Sequence, residues 1–370
     1  MSLPLVLVVV GTRPEAIKLA PVARELRRAD WCATRVVSTA QHRELLDGAL
    51  AALGFAVDLD LDLMRGDQSP AAFLARALGG LDRVFERDRP ACVVAEGDTT
   101  TVLAAALAAF QRRIPFAHVE AGLRTGDPRA PFPEETNRRL VTRLAALHLA
   151  PTARAADNLR ADGVSDSAIA VTGNPVVDAL EGVRARVAAM GSRHAVEGRR
   201  LVLVTVHRRE SFGAPLRGIA GALREIASRP GLDVLVPMHP NPQVRAALRG
   251  ELGDDRRVQL VEPLEYLEFL AELQASWLVL TDSGGVQEEA PSFGKPLLVL
   301  REETERVEGL AMGCAKLVGT VPARIVAEVD TLCADERRRD AMVATTNPYG
   351  DGRAAARIAA ALRALVRSPA

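Results

Sequence analysis

The chain has 370 residues, of which 47 are Lys or Arg and 47 are Asp or Glu, so its formal net charge is zero. This balance argues against nucleic acid or an anionic membrane as the main partner, because both require a basic surface. The cysteines are not spaced as CxxC pairs, so neither a zinc site nor a redox pair is predicted. There is no apolar run of the ~20 residues that a membrane helix needs. The opening segment also lacks the basic region of a signal peptide, and a cytoplasmic protein is therefore expected.

Apolar runs typical of buried strands alternate with helical spacing through the first half of the chain. The strands are predicted at 5–10, 34–39, 91–95, 114–119 and 147–150. The helices are predicted from the turn at 11–18 to about 28, after 43, at 70–87, up to 110 and at 135–144. Alternation of this kind is typical of a parallel sheet with helices on both faces.

A second unit is predicted to begin near residue 175, with a helix at 176–191 and a charged connection at 192–200. Its strands are predicted at 201–205, 233–236, 258–261, 277–281, 296–300 and 315–318, and a final helix at 353–366. The sequence therefore predicts an α/β protein of two tandem doubly wound, Rossmann-like domains.

Polar side chains collect directly after the predicted strands in both halves. In the first half they are Arg13, Lys18, Gln41, His42, Asp98 and Glu120. In the second half they are His207, His239, Ser283 and Arg306, with Gly284 and Gly285 directly after Ser283. Open α/β sheets bind ligands at the carboxyl ends of their strands. We therefore expect both sets to face one cleft that takes a diphosphate on one side and a polyhydroxyl ring on the other.

The densest of these clusters runs from His118 to Arg138, where regular spacing gives way to Gly and Pro residues. Glu120 needs a partner, since an acid directly after a buried strand is costly unless it is paired. Asp98, after the preceding strand, also fits as the N-cap of its helix. Glu134 also fits as a first-turn acid favoured by the helix dipole.

One turn in the second half suits a phosphate group. Thr281-Asp-Ser-Gly-Gly-Val-Gln-Glu-Glu289 ends a strand, passes two glycines and begins a helix, whose N-terminal N–H groups can bind an anion. The alternative is an ordinary strand-to-helix turn capped by Asp282 or Ser283. Arg13 and Lys18 likewise fit either a second anion site or a solvated helix start. Neither a P-loop nor a dinucleotide-binding motif is present.

A series of short motifs covers almost the whole chain. They are Gly11-Thr-Arg-Pro-Glu-Ala-Ile-Lys18, Gly97-Asp-Thr-Thr-Thr101, His118-Val-Glu-Ala-Gly-Leu-Arg124, Pro133-Glu-Glu135, His207-Arg-Arg-Glu-Ser211, Thr281-Asp-Ser-Gly-Gly285 with Gln287-Glu-Glu289, Thr304-Glu-Arg306 and Asn347-Pro-Tyr-Gly-Asp-Gly352. In this order they resemble the motifs of the non-hydrolysing UDP-N-acetylglucosamine 2-epimerases. The opening Gly-Thr-Arg-Pro-Glu favours the non-hydrolysing branch over the hydrolysing one.

The resemblance implies a fold like that of GT-B glycosyltransferases. The first domain would be 1–174, joined by the C-terminal helix 353–370, and 175–352 would bind UDP. It also implies reversible conversion of UDP-N-acetylglucosamine (UDP-GlcNAc) to UDP-N-acetylmannosamine (UDP-ManNAc), with no metal and no cofactor. UDP would leave by anti elimination across C1–C2 to give 2-acetamidoglucal, and would add back after the C2 proton is replaced on the other face. A homodimer is implied as well.

Carried over motif by motif, the resemblance assigns roles to individual residues. The acid/base and charge-stabilising set would be Asp98, Glu120 and Glu134, with His207 at the diphosphate. The other substrate-binding residues would be Arg13, Lys18, Arg138, His239, Leu264, Phe269, Ser283, Gly284, Gly285, Glu289 and Arg306. Of these, Glu289 would accept the ribose hydroxyls, and Leu264 and Phe269 would border uracil. The motifs leave open which carboxylate acts on which face of the sugar.

Some positions depart from the family pattern. Glu96 stands before Gly97 where the family often has His or Gln, and Val206 precedes His207 where a smaller residue is usual. Pro240 and Val307 stand where Leu and Pro are common, next to the expected nucleotide pocket. These two positions bear on whether a modified UDP-GlcNAc is the true substrate.

Some bacterial members of this family bind a second UDP-GlcNAc as an activator. The equivalent segments here contain Gln41, His42 and Gln68, which are candidate allosteric residues. Asp67 stands where those members tend to have Arg.

Two other functions fit the same nucleotide-sugar cleft. A GT-B glycosyltransferase would need an acceptor groove, and it would need fewer carboxylates than this sequence offers. A catalytically silent UDP-sugar-binding protein would be expected to lack at least one of Asp98, Glu120, Glu134 and His207, yet all four are present.

Overall fold

The computed structural model describes residues 3–41, 43–66, 68–208, 212–253, 255 and 257–367. It divides into two compact units, Met1–Gly182 with Tyr349–Ala370 and Val183–Pro348. Each unit contains its own parallel sheet.

The first unit alternates strands and helices along the chain. Its strands are β1 (Leu5–Val10), β2 (Ala33–Ser38), β3 (Leu59–Asp60), β4 (Cys92–Glu96), β5 (Phe116–Val119), β6 (Leu147–Ala150) and β7 (Ile169–Val171). Its helices are α1 (Arg13–Arg28), α2 (Arg43–Leu53), α3 (Pro70–Asp88), α4 (Thr100–Gln111), α5 (Glu134–Leu144), α6 (Ala153–Ala161) and α7 (Pro175–Met190), which contains the boundary at Gly182.

The second unit repeats the pattern. Its strands are β8 (Arg200–Thr205), β9 (Leu232–Pro237), β10 (Val258–Val261), β11 (Leu278–Thr281), β12 (Leu297–Val299) and β13 (Ala315–Leu317). Its helices are α8 (Ala214–Ala227), α9 (Pro242–Leu252), α10 (Tyr266–Ala275), α11 (Gly284–Glu289), α12 (Val307–Met312), α13 (Pro322–Ala334) and α14 (Glu336–Ala341), and α15 (Ala354–Arg367) belongs to the first unit.

Both sheets have the same kind of strand order. The first runs β3-β2-β1-β4-β5-β6-β7 and the second β10-β9-β8-β11-β12-β13, with parallel pairing throughout the described strands. This is the order of doubly wound nucleotide-binding folds. The predicted fold class, two Rossmann-like α/β domains in tandem, is confirmed.

The strand order reverses between β1 and β4 in the first sheet and between β8 and β11 in the second. At such a point the chain leaves neighbouring strands in opposite directions, which opens a crevice at their carboxyl ends. Gly11 and Gly97 begin the connections at the first crevice, and Val206 and Asp282 begin those at the second. The topology therefore singles out these connections from all the other loops.

The central strands are buried on both faces, which explains their nearly continuous apolar sequences. Leu7, Val9 and Val93 of the first sheet pack with α3 and the Ala-rich α4 in one hydrophobic cluster. The final helix α15 packs against α1, as the predicted return to the first domain requires. Its first N–H groups are capped by the carboxylate of Asp178. None of the described helices is long and apolar enough to cross a membrane.

The strands β3 and β7 and the helix α6 were not predicted. The two strands have only two and three residues and lie at the edges of the sheet, where most of their side chains are partly exposed. A short edge strand carries too little hydrophobic pattern to be recognised without its neighbour. The strand predicted at 114–119 begins two residues later, at Phe116.

Gly122, in the connection after β5, provides a test of how closely α6 packs against this connection. Its φ is +94°, and a Cβ at this position would lie 2.1 Å from the carbonyl oxygen of Ala155 in α6. Gly126 has a similar φ of +91° with nothing within 4 Å of its Cβ position. Gly126→Ala should therefore lower the free energy of unfolding only by the roughly 1–2 kcal/mol that a left-handed conformation costs a non-glycine residue. Gly122→Ala should lower it by about 1–3 kcal/mol more, because the added methyl group also clashes with the backbone of α6.

Urea unfolding of the two variants followed by circular dichroism measures this difference. Equal losses of the free energy of unfolding in the two variants would show that α6 does not press on the loop.

Candidate active site

The crevice of the first unit contains a buried ion cluster centred on Lys18. Its ammonium nitrogen, one turn into α1, lies 3.0 Å from Oε1 of Glu96 and contacts Oε2 of Glu120. The side chains of Glu96 and Glu120 are each only 3% exposed. The predicted need of Glu120 for a partner is thus met, since an uncompensated carboxylate in this place would be strongly destabilising.

Asn174 also contributes to this cluster, from the connection after β7. Its Nδ2 donates to Oε2 of Glu120 at 2.8 Å, and its own backbone N–H donates to the carbonyl of Tyr349. Glu120 itself has a φ of +61°, in the left-handed region that costs a non-glycine residue about 1 kcal/mol or more. The two partners hold the carboxylate in this orientation at the end of β5.

Asp98 pairs with Arg138 instead of capping its helix. The Nη2 and Nε atoms of Arg138 approach the same oxygen, Oδ2 of Asp98, at 2.6 and 2.9 Å. The N-cap of α4 is Thr99, whose hydroxyl accepts the N–H of Val102, so the N-cap interpretation of Asp98 is wrong. The side chain of Asp98 remains 21% exposed, whereas that of Arg138 is 4% exposed. Asp98 is therefore an oriented carboxylate with access to solvent.

The loop between β5 and α5 is held by Glu135. This buried carboxylate accepts N–H groups from Thr125, Arg138 and Arg139. Glu134 is the first residue of α5 and is partly exposed, so it lies in the first turn as predicted. At the start of α5, the partly exposed Glu134 therefore lies next to Glu135, which is buried and hydrogen-bonded to the loop.

His118 joins two neighbouring strands at this edge. Its Nε2 lies 2.7 Å from the carbonyl oxygen of Gly97, in the turn that follows β4. Burial lowers the pKa of His118 to about 4, so the ring is neutral near pH 7. His118 thus contributes a hydrogen bond and no charge.

Glu15 lies at the start of α1, and sequence reasoning did not select it as a candidate functional residue. Its carboxylate accepts the backbone N–H groups of Gly11 and Thr12 and the hydroxyl of Thr99. Burial raises the pKa of Glu15 to about 7. The Ser/Thr-x-x-Glu spacing of Thr12 and Glu15 is a capping-box signal that could have identified it.

The other candidate residues of the first unit are outside the clusters around Glu120 and Asp98. Arg13 begins α1 and is partly exposed. Gln41 uses its side-chain oxygen to accept the N–H and hydroxyl of Thr101 at the start of α4. Gln68 donates to the sulfur of Met64. His42 and Asp67 lie outside the described residues.

In the second unit, the crevice is organised by Asp282, which is fully buried. Its carboxylate accepts the backbone N–H groups of His207 and Arg208, which follow β8. The proposed cap role of Asp282 is therefore wrong. Ser283 is the N-cap residue of α11, but its side chain makes no capping hydrogen bond. Asp282 binds the two connections of this crevice together.

His207 and His239 lie side by side. Their rings are stacked with centroids 5.1 Å apart, and Nε2 of His207 is 3.9 Å from Oδ1 of Asp282. The side chain of His207 is 37% exposed. The remaining motif residues after Arg208, which are Arg209, Glu210 and Ser211, lie outside the described residues.

The Gly-rich turn brings the backbone against Arg306. A Cβ added to Gly284 would lie 3.1 Å from Cζ of the Arg306 guanidinium. Arg306 also contacts Glu288 at 2.8 Å and Glu305. A side chain at position 284 would therefore crowd the guanidinium of Arg306, whose positive charge is held at the start of α11.

The residues expected at the nucleoside lie in α10, directly before it, or in contact with it through Tyr266. Glu289 accepts the phenolic O–H of Tyr266 at 3.0 Å, and Phe269 is buried in the same helix. Leu264 precedes α10 and is partly exposed. Tyr266 was not predicted as a site residue, and its role as a donor to Glu289 follows only from the fold.

The structure thus brings Lys18 together with Glu120, Asp98 with Arg138, and His207 with His239. Within the described part of the chain, no group of three or more His, Cys, Asp or Glu side chains is arranged to hold a metal ion.

Comparison with known proteins agrees with this geometry. The sequence model of the UDP-N-acetylglucosamine 2-epimerase family matches residues 24–363. The UDP-N-acetylglucosamine 2-epimerase of Escherichia coli K12 is 46% identical over 97% of this chain and 98% of its own. That of Bacillus subtilis is 44% identical over 95% of this chain and 93% of its own.

A solved structure is also similar over its full length. The UDP-GlcNAc 2-epimerase from Neisseria meningitidis, crystallised with UDP-GlcNAc, superposes with a TM-score of 0.94 at 40% identity, covering 97% of this chain and 99% of that one. The predicted fold class and the resemblance of the motifs are both confirmed. The chain belongs to the UDP-N-acetylglucosamine 2-epimerase family.

Proposed function

We propose that this chain interconverts UDP-GlcNAc and UDP-ManNAc by anti elimination of UDP and re-addition to 2-acetamidoglucal. Family membership supports the reaction. The observation that carries the mechanism is the set of oriented carboxylates at the first crevice, where Glu120 is held by Lys18 and Asp98 by Arg138.

The chemistry explains why carboxylates are needed. The C2 hydrogen of the sugar is not acidic by itself, so its loss must be driven by departure of UDP and by positive charge that develops at C1. Fixed carboxylates stabilise that charge, and one of them must take the proton. Asp98, Glu120 and Glu134 supply these groups, with Asp98 kept partly exposed and Glu120 kept dry.

The second unit would receive the nucleotide. His207 would act at the diphosphate, with its backbone held by Asp282. The other groups proposed to bind substrate are Arg13, Lys18, Arg138, His239, Leu264, Phe269, Ser283, Gly284, Gly285, Glu289 and Arg306. In this arrangement Tyr266 orients the Glu289 carboxylate that would accept the ribose hydroxyls.

We also propose a cytoplasmic homodimer, as the family resemblance implies. A site for an activating UDP-GlcNAc near Gln41, His42 and Gln68 remains part of this proposal. Gln41 supports it least, because its side-chain oxygen already serves the start of α4. Light scattering with and without UDP-GlcNAc measures the oligomeric state.

Isotope exchange separates this function from its alternatives. The purified protein incubated with UDP-GlcNAc in D2O should form UDP-ManNAc with deuterium at C2, which proton NMR detects. A glycosyltransferase would give no product without an acceptor, and a silent binding protein would give none at all. UDP-ManNAc that retains its original C2 proton would contradict exchange with solvent through a carboxylate.

Asp98→Asn tests the role of a carboxylate while it leaves the buried pair of Lys18 and Glu120 in place. The side chain keeps its size and an oxygen for Arg138, but loses its basicity. We expect kcat to fall by about 10²–10⁴-fold, the usual contribution of a general acid or base, while the affinity for UDP stays nearly constant.

Asp82→Asn is the matched control, because Asp82 lies on α3, pairs with Arg112 and is 42% exposed. Steady-state kinetics and calorimetric titration with UDP measure both effects. An Asp98→Asn variant that keeps more than about a tenth of the kcat would show that Asp98 is not part of the acid/base set.

A further inference from the structure

Three carboxyl groups and one ammonium group meet at the first crevice. Lys18 contacts Glu96 and Glu120, and Glu15 on α1 adds a further negative potential at Glu96. Glu15, Lys18, Glu96 and Glu120 are all at most 6% exposed. Two of these buried carboxyl groups, those of Glu96 and Glu120, thus share the ammonium group of Lys18.

The charged groups around Glu96 can be traced through the described elements that pack against β4. β4 pairs with β1 and β5 and packs against α1 and α4. The sequences of β1 and α4 contain no titratable side chains. β5 contributes only His118, which is neutral near pH 7. α1 brings Lys18 and Glu15, with a partly exposed Arg13 at its start. Of the described charged groups, Lys18, Glu120 and Glu15 act most strongly on Glu96.

A proton on one of the two carboxyl groups that share Lys18 removes the repulsion between them. Two like charges in a dry site cannot both ionise easily, so one carboxyl group retains its proton. Burial first, and then the charges of Glu120 and Glu15, raise the pKa of Glu96 well above its usual range despite Lys18. A protonated Glu96 can still accept a hydrogen bond from Lys18 through its carbonyl oxygen.

We propose that Glu96 is a positioning residue that keeps its proton beside Lys18 and Glu120 at neutral pH, and that its ionisation sets the alkaline limit of substrate binding. This inference rests on the proposed function, which places the anionic substrate at this crevice. While Glu96 is neutral, it does not compete with Glu120 for the charge of Lys18. Once Glu96 ionises, the crevice gains a negative charge that competes for Lys18 and repels the diphosphate.

The kinetic test compares the full-length protein with Glu96→Gln. This substitution removes the ionisable group and keeps nearly the same size and hydrogen-bonding reach. The value of kcat/KM for UDP-GlcNAc is measured from about pH 6 to pH 9. The ratio of variant to wild type should rise about tenfold across this range, through KM, because only the wild type gains the extra charge.

Two further variants make the result specific. Glu96→Asp keeps a carboxyl group and should keep the alkaline fall in kcat/KM. Glu86→Gln is the matched control, because Glu86 lies on α3 with 68% of its side chain exposed, and its ratio to wild type should not change with pH. A Glu96→Gln ratio that stays constant overturns the proposal.

Urea unfolding without substrate tests the protonation of Glu96 independently of activity. A carboxyl group that keeps its proton in the folded protein, but loses it in the unfolded chain, lowers the stability as the pH rises above the unfolded pKa. The wild type should therefore lose more stability than Glu96→Gln between about pH 5 and pH 8. Glu15 titrates in both proteins, and while Glu96 keeps its proton Glu15 has an uncharged neighbour in both of them.

Equal slopes with pH overturn the proposal even if the wild type is an active epimerase. Absence of deuterium exchange by the wild type instead overturns the proposed function. In that case the urea series still decides whether Glu96 holds the proton.

Discussion

The contact between Lys18 and Glu120 joins the helix after β1 to the end of β5, and Asn174 adds the connection after β7. Burial of such a pair is costly, and removal of one partner from a buried pair typically destabilises a protein by about 3–5 kcal/mol. That loss reflects the charge left buried without its partner, and the intact pair itself contributes little net stability because desolvation offsets its attraction. It holds a carboxylate dry and oriented, which is what proton abstraction next to a developing cation requires.

The two crevices have the same topology, but their buried carboxylates are stabilised by different groups. In the first unit, Lys18 from α1 pairs with Glu96 at the end of β4 and with Glu120 directly after β5. In the second unit, the buried Asp282 follows β11 and binds backbone N–H groups that follow β8. The acid therefore fixes the connection that carries His207. The second unit keeps Arg306 at the start of α11, where a helix N-terminus also favours an anion.

Most of the regular structure could be predicted because the central strands of both sheets are buried on both faces. Such strands have continuous apolar sequences, and the helices between them have clear spacing and Gly or Pro boundaries. The edge strands β3 and β7 escaped prediction because they are short and their side chains are mostly partly exposed. The local cap interpretations of Asp98 and Asp282 failed for a related reason. Both residues have a cap's position in the sequence, but each binds a group that is far away along the chain.

The sequence by itself determined the alternating elements, the family and the clustering of polar residues after strand ends, because each of these depends on neighbours along the chain. Only the tertiary structure decided that Glu96 belongs with Lys18, that Asp282 serves the backbone after β8, and that Tyr266 serves Glu289. Such pairings depend on which strands are neighbours in the sheet. That order is set by packing of the whole unit, and local spacing does not encode it.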